Sequence, residues 1–263
     1  MKTNKTSPAL TFGAGFFIGI LGGLIGLGGA EFRLPVLIDL FGFGALQAVI
    51  LNKAMSLIVV STALPLRSGV ISLSQILEHW PILITLLSDS LIGAWIGAGW
   101  ATKIQSQTLY KVISALLVFI AFALLLTHTM QLSGLKLGAI TQVLIGSIAG
   151  VGIGLIAAIM GVAGGELLIP TIVLLFGVDI KLAGSLSLAV SFPTMLVGFA
   201  RYSQSASFLI LYKEWKFLLM MAAGSILGVF VGGQLLGVIS TTYLIPLLIL
   251  ILLVSAKKTW DHS

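Results

Sequence analysis

Two glutamates, Glu31 and Glu166, stand in otherwise apolar sequence, each immediately after a glycine-rich step (Gly28 and Gly29; Gly164 and Gly165) and four residues ahead of a proline, Pro35 or Pro170. A carboxyl among apolar residues is costly to ionise. It can earn its place by carrying a proton, or by sitting in the first turn of a helix whose dipole stabilises its charge; the sequence leaves both roles open. The glycines weaken any helix through them and let the backbone depart from helical geometry beside the acid. A helix restarted after such a break turns its N–H groups toward the break, an arrangement that suits an anion. Close helix packing through small residues is the competing explanation for the glycines.

Asn52 and Ser56 lie four residues apart and so share a helix face, as do Ser187 and Ser191. Such stripes could replace part of the hydration shell of a small oxyanion, or could join helices by hydrogen bonds. Lys53, Arg67 and Arg201 are the cations nearest these stripes. A guanidinium suits sulfonate or carboxylate oxygens, although Arg67 and Arg201 fall where apolar segments end, where snorkelling alone would account for them. Asp89, near the start of a long apolar block, is an isolated acid open to either a capping or a functional role.

Other chemistries find no support. The chain has no cysteine, and His79, His128 and His262 are far apart, so no metal cluster or Ser-His-Asp arrangement is expected, and no cofactor or enzymatic role. Gly152, Gly154 and Ala157 match a dinucleotide fingerprint, but inside an apolar block with no strand before it. The formal net charge of +6 comes from basic residues scattered through the loops, not from a dense run, so nucleic acid is not an expected partner.

The elements that must position these residues occur twice. A shift of 135 residues, the separation of the two glutamates, aligns GLGGAEFRLP (26–35) with GVAGGELLIP (161–170) without a gap. The same shift pairs Gly15 with Gly150, Gly19 with Gly154, Ser56 with Ser191, Gly93 with Gly228 and Gly97 with Gly232. Each half reads as a long glycine-rich helix, a break, a short apolar segment and three further segments. These fall at about 8–28, 32–43, 46–66, 81–101 and 109–128, then about 137–161, 167–178, 182–200, 215–236 and 242–256. The short segments of roughly 12 residues would span only ~18 Å, marginal for a ~30 Å hydrocarbon core. If they turn back, the repeats are parallel; if they cross, the repeats are inverted.

The solvent for these segments is lipid. Hydrophobic residues make up 58% of the chain and charged residues 8%, with a mean hydropathy of +1.17, whereas a soluble domain carries about 25% charged residues. Continuous apolar blocks, not strand alternation, make the spans helical. Lys2 and Lys5 before the first span and Lys257 and Lys258 after the last place both termini in the cytoplasm. The amino-terminal segment has the charge and small residues of a signal peptide, but its recurrence inside the chain argues against cleavage.

With the doubled glycine-rich break before Glu and Pro, and AGSLSLAVSFPTMLVG at 183–198, the chain resembles the TauE/SafE family of membrane permeases over 13–254. The resemblance implies secondary transport, often export, of sulfite or a small organosulfur anion across the bacterial inner membrane. Asn52 and Lys53 stand where the family more often has a Thr-Ser run. The expectation is therefore an all-α polytopic membrane protein of two homologous repeats, 8–130 and 137–256, with eight long spans and two short or broken segments. Its anion would lie among Gly28, Gly29, Asn52, Ser56, Gly164, Gly165, Ser187, Ser191 and Arg201, with Glu31 and Glu166 as coupling or structural carboxylates. The partners expected are that anion, the bilayer and a coupling ion, H+ or Na+; a homo-oligomer is compatible with the sequence. A passive channel and a non-transporting scaffold are the rival readings.

Overall fold

Apolar blocks punctuated by glycine, proline and charge become helices, because only intrahelical hydrogen bonding satisfies the backbone in lipid. The computed structural model describes residues 7–25, 28–67, 73–129, 138–235 and 241–263. In order these form α1 (Pro8–Ile25), α2 (Ala30–Asp39), α3 (Ala45–Arg67), α4 (Leu73–Glu78), α5 (Trp80–Ala101), α6 (Ser106–Thr129), α7 (Ala139–Met160), α8 (Gly165–Phe176), α9 (Ile180–Tyr202), a 3-10 turn (Ala206–Leu209), α10 (Ile210–Lys213), α11 (Trp215–Leu235) and α12 (Thr241–Asp261). Among the described residues there is no strand. Large apolar side chains such as Phe17, Ile140 and Ile148 face outward, while Arg33, Lys53 and Asn52 are wholly enclosed. That inversion of the soluble pattern is what lipid as solvent requires.

Among the described residues six helices are long and apolar enough to cross a membrane, in the stretches Ala45–Thr62, Trp80–Ala101, Ser106–Leu126, Ile140–Met160, Lys181–Tyr202 and Trp215–Leu235. This is fewer than the eight long spans expected. The described apolar stretch of α1 is Pro8–Leu24, and α12 is not among the six. The short helix α4 and the 3-10 turn with α10 were not foreseen, since neither has a periodic apolar pattern of its own.

Helix starts recur with the interval of the sequence repeat. Ala30 and Gly165, Ala45 and Ile180, Trp80 and Trp215, and Ser106 and Thr241 each begin a helix 135 residues apart. The packing crosses between the halves: α1 lies on α11 and α7 on α5. Glycine permits both approaches. A Cβ on Gly15, Gly19 or Gly23 would stand 2.3, 2.3 and 2.5 Å from the carbonyl oxygens of Met221, Ser225 and Val229. One on Gly93 or Gly97 would stand 2.0 and 2.6 Å from those of Val151 and Leu155. In each pair the contacts advance together along both chains, so these helices run parallel.

Helices that correspond by the 135-residue shift run the other way. Between α6 and α12, Tyr110 faces His262, Lys111 lies over Trp260, and the Ser114 hydroxyl donates to the Ala256 carbonyl. Between α3 and α9, Lys53 meets Gly198 and Val60 clusters with Met195. Both pairs are antiparallel. The end of α2 meets the end of α12 through an ion contact of 3.0 Å between Asp39 and His262, and Phe217 of α11 packs its ring on Phe41 and Phe43. The starts of α1, α6 and α11 and the ends of α5, α9 and α12 thus share one end of the bundle.

Candidate functional site

After α1, Gly28 and Gly29 take φ of 89° and 72°, left-handed values that a side chain resists. The Gly28 N–H donates to the Gly22 carbonyl at 3.3 Å, and Gly29 rests against the backbone of Ile18. The chain therefore folds back on α1 before α2 begins. The second break is built alike. Gly161 (φ 68°) caps α7, and Gly164 (φ 82°) faces Ala157 and Ile153 as α8 starts. Gly165 is the first residue of α8. From these breaks α2 and α8 run to opposite ends of the bundle: Asp39 reaches the end that holds the start of α1 and the end of α12, and Phe176 reaches Gly146 and Thr85 near the starts of α7 and α5. Their amino termini consequently converge inside the protein, each offering the positive end of its dipole.

Glu31 and Glu166 occupy the first turns of these helices, 1% and 5% exposed. They stand close enough for the charge of each to act on the other, yet none of their four oxygens has a hydrogen-bond partner. Two carboxylates are both acceptors, so a hydrogen bond between them requires a proton on one. Neither acid caps its own helix with its side chain; the cap positions belong to Gly29 and Gly164.

Arg33, two residues beyond Glu31 and wholly buried, organises the polar centre. Its Nε donates to the Asn52 Oδ1 at 2.8 Å, one Nη to the Ser56 hydroxyl at 2.6 Å and the other to the Ser225 hydroxyl at 3.3 Å. A guanidinium has five N–H donors, so one on each Nη is left over. Asn52 in turn donates to the carbonyls of Ala30, at the start of α2, and Met160, at the end of α7. The Lys53 ammonium donates to the carbonyls of Ala157 and Val162, both at 2.9 Å, and so closes the exposed end of α7. Glu31 and Glu166 are the charges that act on Arg33 and Lys53 respectively, without direct ion pairing to either. Beside this cluster a cavity of about 10 Å³, room for one water, is lined by Gly28, Ala30, Arg33, Ser56, Val59, Val60 and Ala163.

The structure thus brings Gly28, Asn52 and Ser56 together around Arg33, and Glu31 against Glu166. Ser187 is buried and donates to the Gly184 carbonyl of its own helix, while the buried Ser191 hydroxyl has no partner. Arg201 stands apart. It stacks 4.9 Å from the Trp95 ring, bonds Gln204, and lines an open cavity of about 230 Å³ with Thr102, Gln204 and Ser205 at the termini end of the bundle. Asp89 packs beside Gly150, and the side chain of Arg67 lies outside the described residues. Sequence reasoning missed Arg33, Ser225 and Tyr202, whose hydroxyl donates to the Ala158 carbonyl. Arg33 did carry a signal: it is a cation inside a short apolar helix with Leu168 as its repeat counterpart, as Lys53 has Leu188.

Among the described residues no group of His, Cys, Asp and Glu is placed to hold a metal. Broken apolar helices around enclosed charges define a multi-pass helical membrane protein with a polar interior. Residues 11–259 match the model of the sulfite exporter TauE/SafE family, and the chain belongs to that family. No individual curated protein and no solved structure matches it.

Proposed function

We propose that the protein is a secondary carrier of a small organosulfur anion, sulfite or a sulfonate, built as two inverted copies of one five-segment unit. The observation that carries this reading is the wholly buried Arg33, with N–H groups to spare, where the amino termini of α2 and α8 converge. Interrupted helices at equivalent places in two halves, with their dipoles aimed at one point, are the sequence and backbone pattern of a mid-membrane anion site. The antiparallel course of α6 against α12 and of α3 against α9 supports inversion, with ten segments passing through the bundle. The substrate class comes from the family.

The site comprises Gly28, Gly29, Gly164 and Gly165 at the breaks, Arg33, and the stripes of Asn52, Ser56, Ser187 and Ser191. Arg201 would meet the anion at the mouth of the bundle, not at its centre. A void the size of one water beside Arg33 suits an occluded carrier better than an open channel. Lys103, Lys213, Lys216, Lys257 and Lys258 gather at the termini end, so that end faces the cytoplasm of an inner membrane by the positive-inside rule. A membrane potential negative inside then favours anion exit by about 2.3 kcal/mol per charge per 100 mV.

Sulfite and methanesulfonate flux into proteoliposomes tests this. Wild type should exchange at least one of them with saturation. Arg33→Gln, and Ser187→Ala combined with Ser191→Ala, should lower that exchange while the purified variants remain monodisperse. Undiminished exchange in both would remove the site from the centre; linear, unsaturated flux would favour a channel.

A further inference from the structure

The polar centre holds two acids and two cations, none in a direct ion pair. Arg33 is bound to neutral partners, Asn52, Ser56 and Ser225, and Lys53 to two carbonyls. Glu31 and Glu166, both more than nine-tenths buried, act on one another as like charges, with Arg33 and Lys53 near but not paired to them, and their four oxygens have no hydrogen-bond partner. Two like charges at such range in a dry interior cannot both persist; one proton between them turns the repulsion into a hydrogen bond. Among the described residues no further charge stands against them. Helices α1 and α7 carry no titratable group, α12 brings Lys257, Lys258 and Asp261 at its far end beside Asp39, α6 brings Tyr110 and Lys111 at that same end, and Asp89 of α5 lies against Gly150; the side chains of Arg67, His128 and Tyr243 lie outside the described residues. On α9, Lys181 and Arg201 lie at the two ends and Tyr202 is engaged with Ala158. Ser225 is the one polar side chain that α11 adds near Arg33, and its Lys216 lies at the start of that helix.

We infer that Glu31 and Glu166 form a single proton site, loaded and emptied in each cycle, whose occupancy decides whether an anion can rest on Arg33. The inference rests on the carrier reading above. With no proton the two carboxylates cancel Arg33 and Lys53, and the centre offers an anion no net attraction. With one shared proton the local charge is +1, and a monoanion neutralises it. Proton and anion therefore bind together and leave together. Sodium fits worse: the carbonyls of Ala157 and Val162, which could have completed an oxygen shell, are taken by Lys53, and two cations already stand beside the acids. A sulfite dianion carried with one proton still moves one negative charge and responds to the membrane potential, whereas a sulfonate moves with none.

The experiment uses the full chain in proteoliposomes with the potential clamped at zero, with methanesulfonate, which stays a monoanion across the range tested, and sulfite in parallel. In wild type, accumulation of methanesulfonate should follow an imposed pH gradient by about tenfold per pH unit, the signature of one proton. A sodium gradient should drive none. Glu31→Gln and Glu166→Gln each place an amide donor where the shared proton was, fixing the centre in its anion-binding state. Both should remain monodisperse and lose accumulation driven by the pH gradient. Independently of transport, infrared difference spectra of purified wild type should contain a protonated-carboxyl C=O band that either substitution abolishes. Gradient-driven accumulation in both variants, accumulation driven by sodium in wild type, or a carboxyl band that survives both substitutions would each overturn the proton assignment. If wild type exchanges neither anion, the carrier reading falls and this inference with it.

Discussion

Asn52 is the residue through which the two breaks are held to the buried Arg33. Its Oδ1 accepts from Arg33, and its amide serves one carbonyl from each break, Ala30 and Met160. Asn52→Leu would leave a guanidinium N–H and the Met160 carbonyl without partners in a dry site, and would take one of two donors from the Ala30 carbonyl. An unsatisfied buried group costs about 1–3 kcal/mol, more where charge is involved. The variant should therefore lose about 3 kcal/mol or more, read as an early unfolding transition in detergent; a transition unchanged from wild type would show that the carbonyls find other donors. Asp39 makes a milder, pH-dependent case at the membrane surface. Burial pushes its carboxyl above its ordinary 3.8, and the His262 and Lys258 charges offset this only in part. The His262 Nε2 lies 3.0 Å from the Asp39 Oδ1, a contact that is an ion pair when the imidazole is protonated. A carboxyl raised on folding contributes stability below its unfolded value and loses it as pH rises through the folded one. Asp39→Asn should thus gain relative to wild type as pH rises from about 4 to 7, in parallel melting curves; a variant that loses ground over that range would mean the ion pair dominates. At this scale the sequence was half legible. The acids, Asn52 and the serines announce themselves as polar residues in apolar runs, but a contact such as Arg33 with Ser225, on helices 192 residues apart in sequence, has no local pattern to betray it.

Helices were more legible than contacts, because apolar length and glycine or proline punctuation are local properties. The expected 46–66 and 182–200 fall on Ala45–Arg67 and Ile180–Tyr202, and the breaks fall where Gly28, Gly29 and Gly164 require left-handed backbone. Glycines admitted two explanations in sequence, and coordinates divide them by location: those at the breaks turn the chain, while Gly15, Gly19 and Gly23 let α1 touch α11, and Gly93 and Gly97 let α5 touch α7. Two neighbours on α7 separate packing from helix propensity. A Cβ on Gly154 would stand 2.1 Å from the Ser90 carbonyl oxygen, whereas one on Gly152 meets nothing within 4 Å. Gly154→Ala must push α5 and α7 apart and should lower the unfolding temperature markedly. Gly152→Ala relieves the helix of glycine and should stabilise by about 0.5–1 kcal/mol. Equal effects from the two would mean that the close approach of these helices is not maintained in the bilayer.

Over the whole molecule, charge counting in the sequence left open the course of the chain through the bilayer, and the inverted course proposed above rests on contacts between corresponding helices. Since α6 and α12 are antiparallel, and α3 and α9 likewise, a segment in one half and its counterpart in the other must run in opposite directions. The short helices make this achievable. After α1 the chain turns back at Gly28 and Gly29, and α2 returns it to the end it started from, so α3 departs from the same side as α1. Had the short helices turned back without delivering the chain across, the segment between α5 and α6 would lie opposite to both termini. The two courses therefore differ in which side sees Gln105. The chain has no cysteine, so single cysteines report without background. In the inverted arrangement Gly44→Cys, Gln105→Cys and Ser263→Cys should react with a membrane-impermeant thiol reagent only from the cytoplasmic side, and His79→Cys and Asp179→Cys only from the other. Labelling of Gln105→Cys from the side opposite to Ser263→Cys would reverse α5, α6 and α7 relative to the termini. The amino termini of α2 and α8 would then no longer meet from opposite directions, and the shared anion and proton centre would lose its geometric basis.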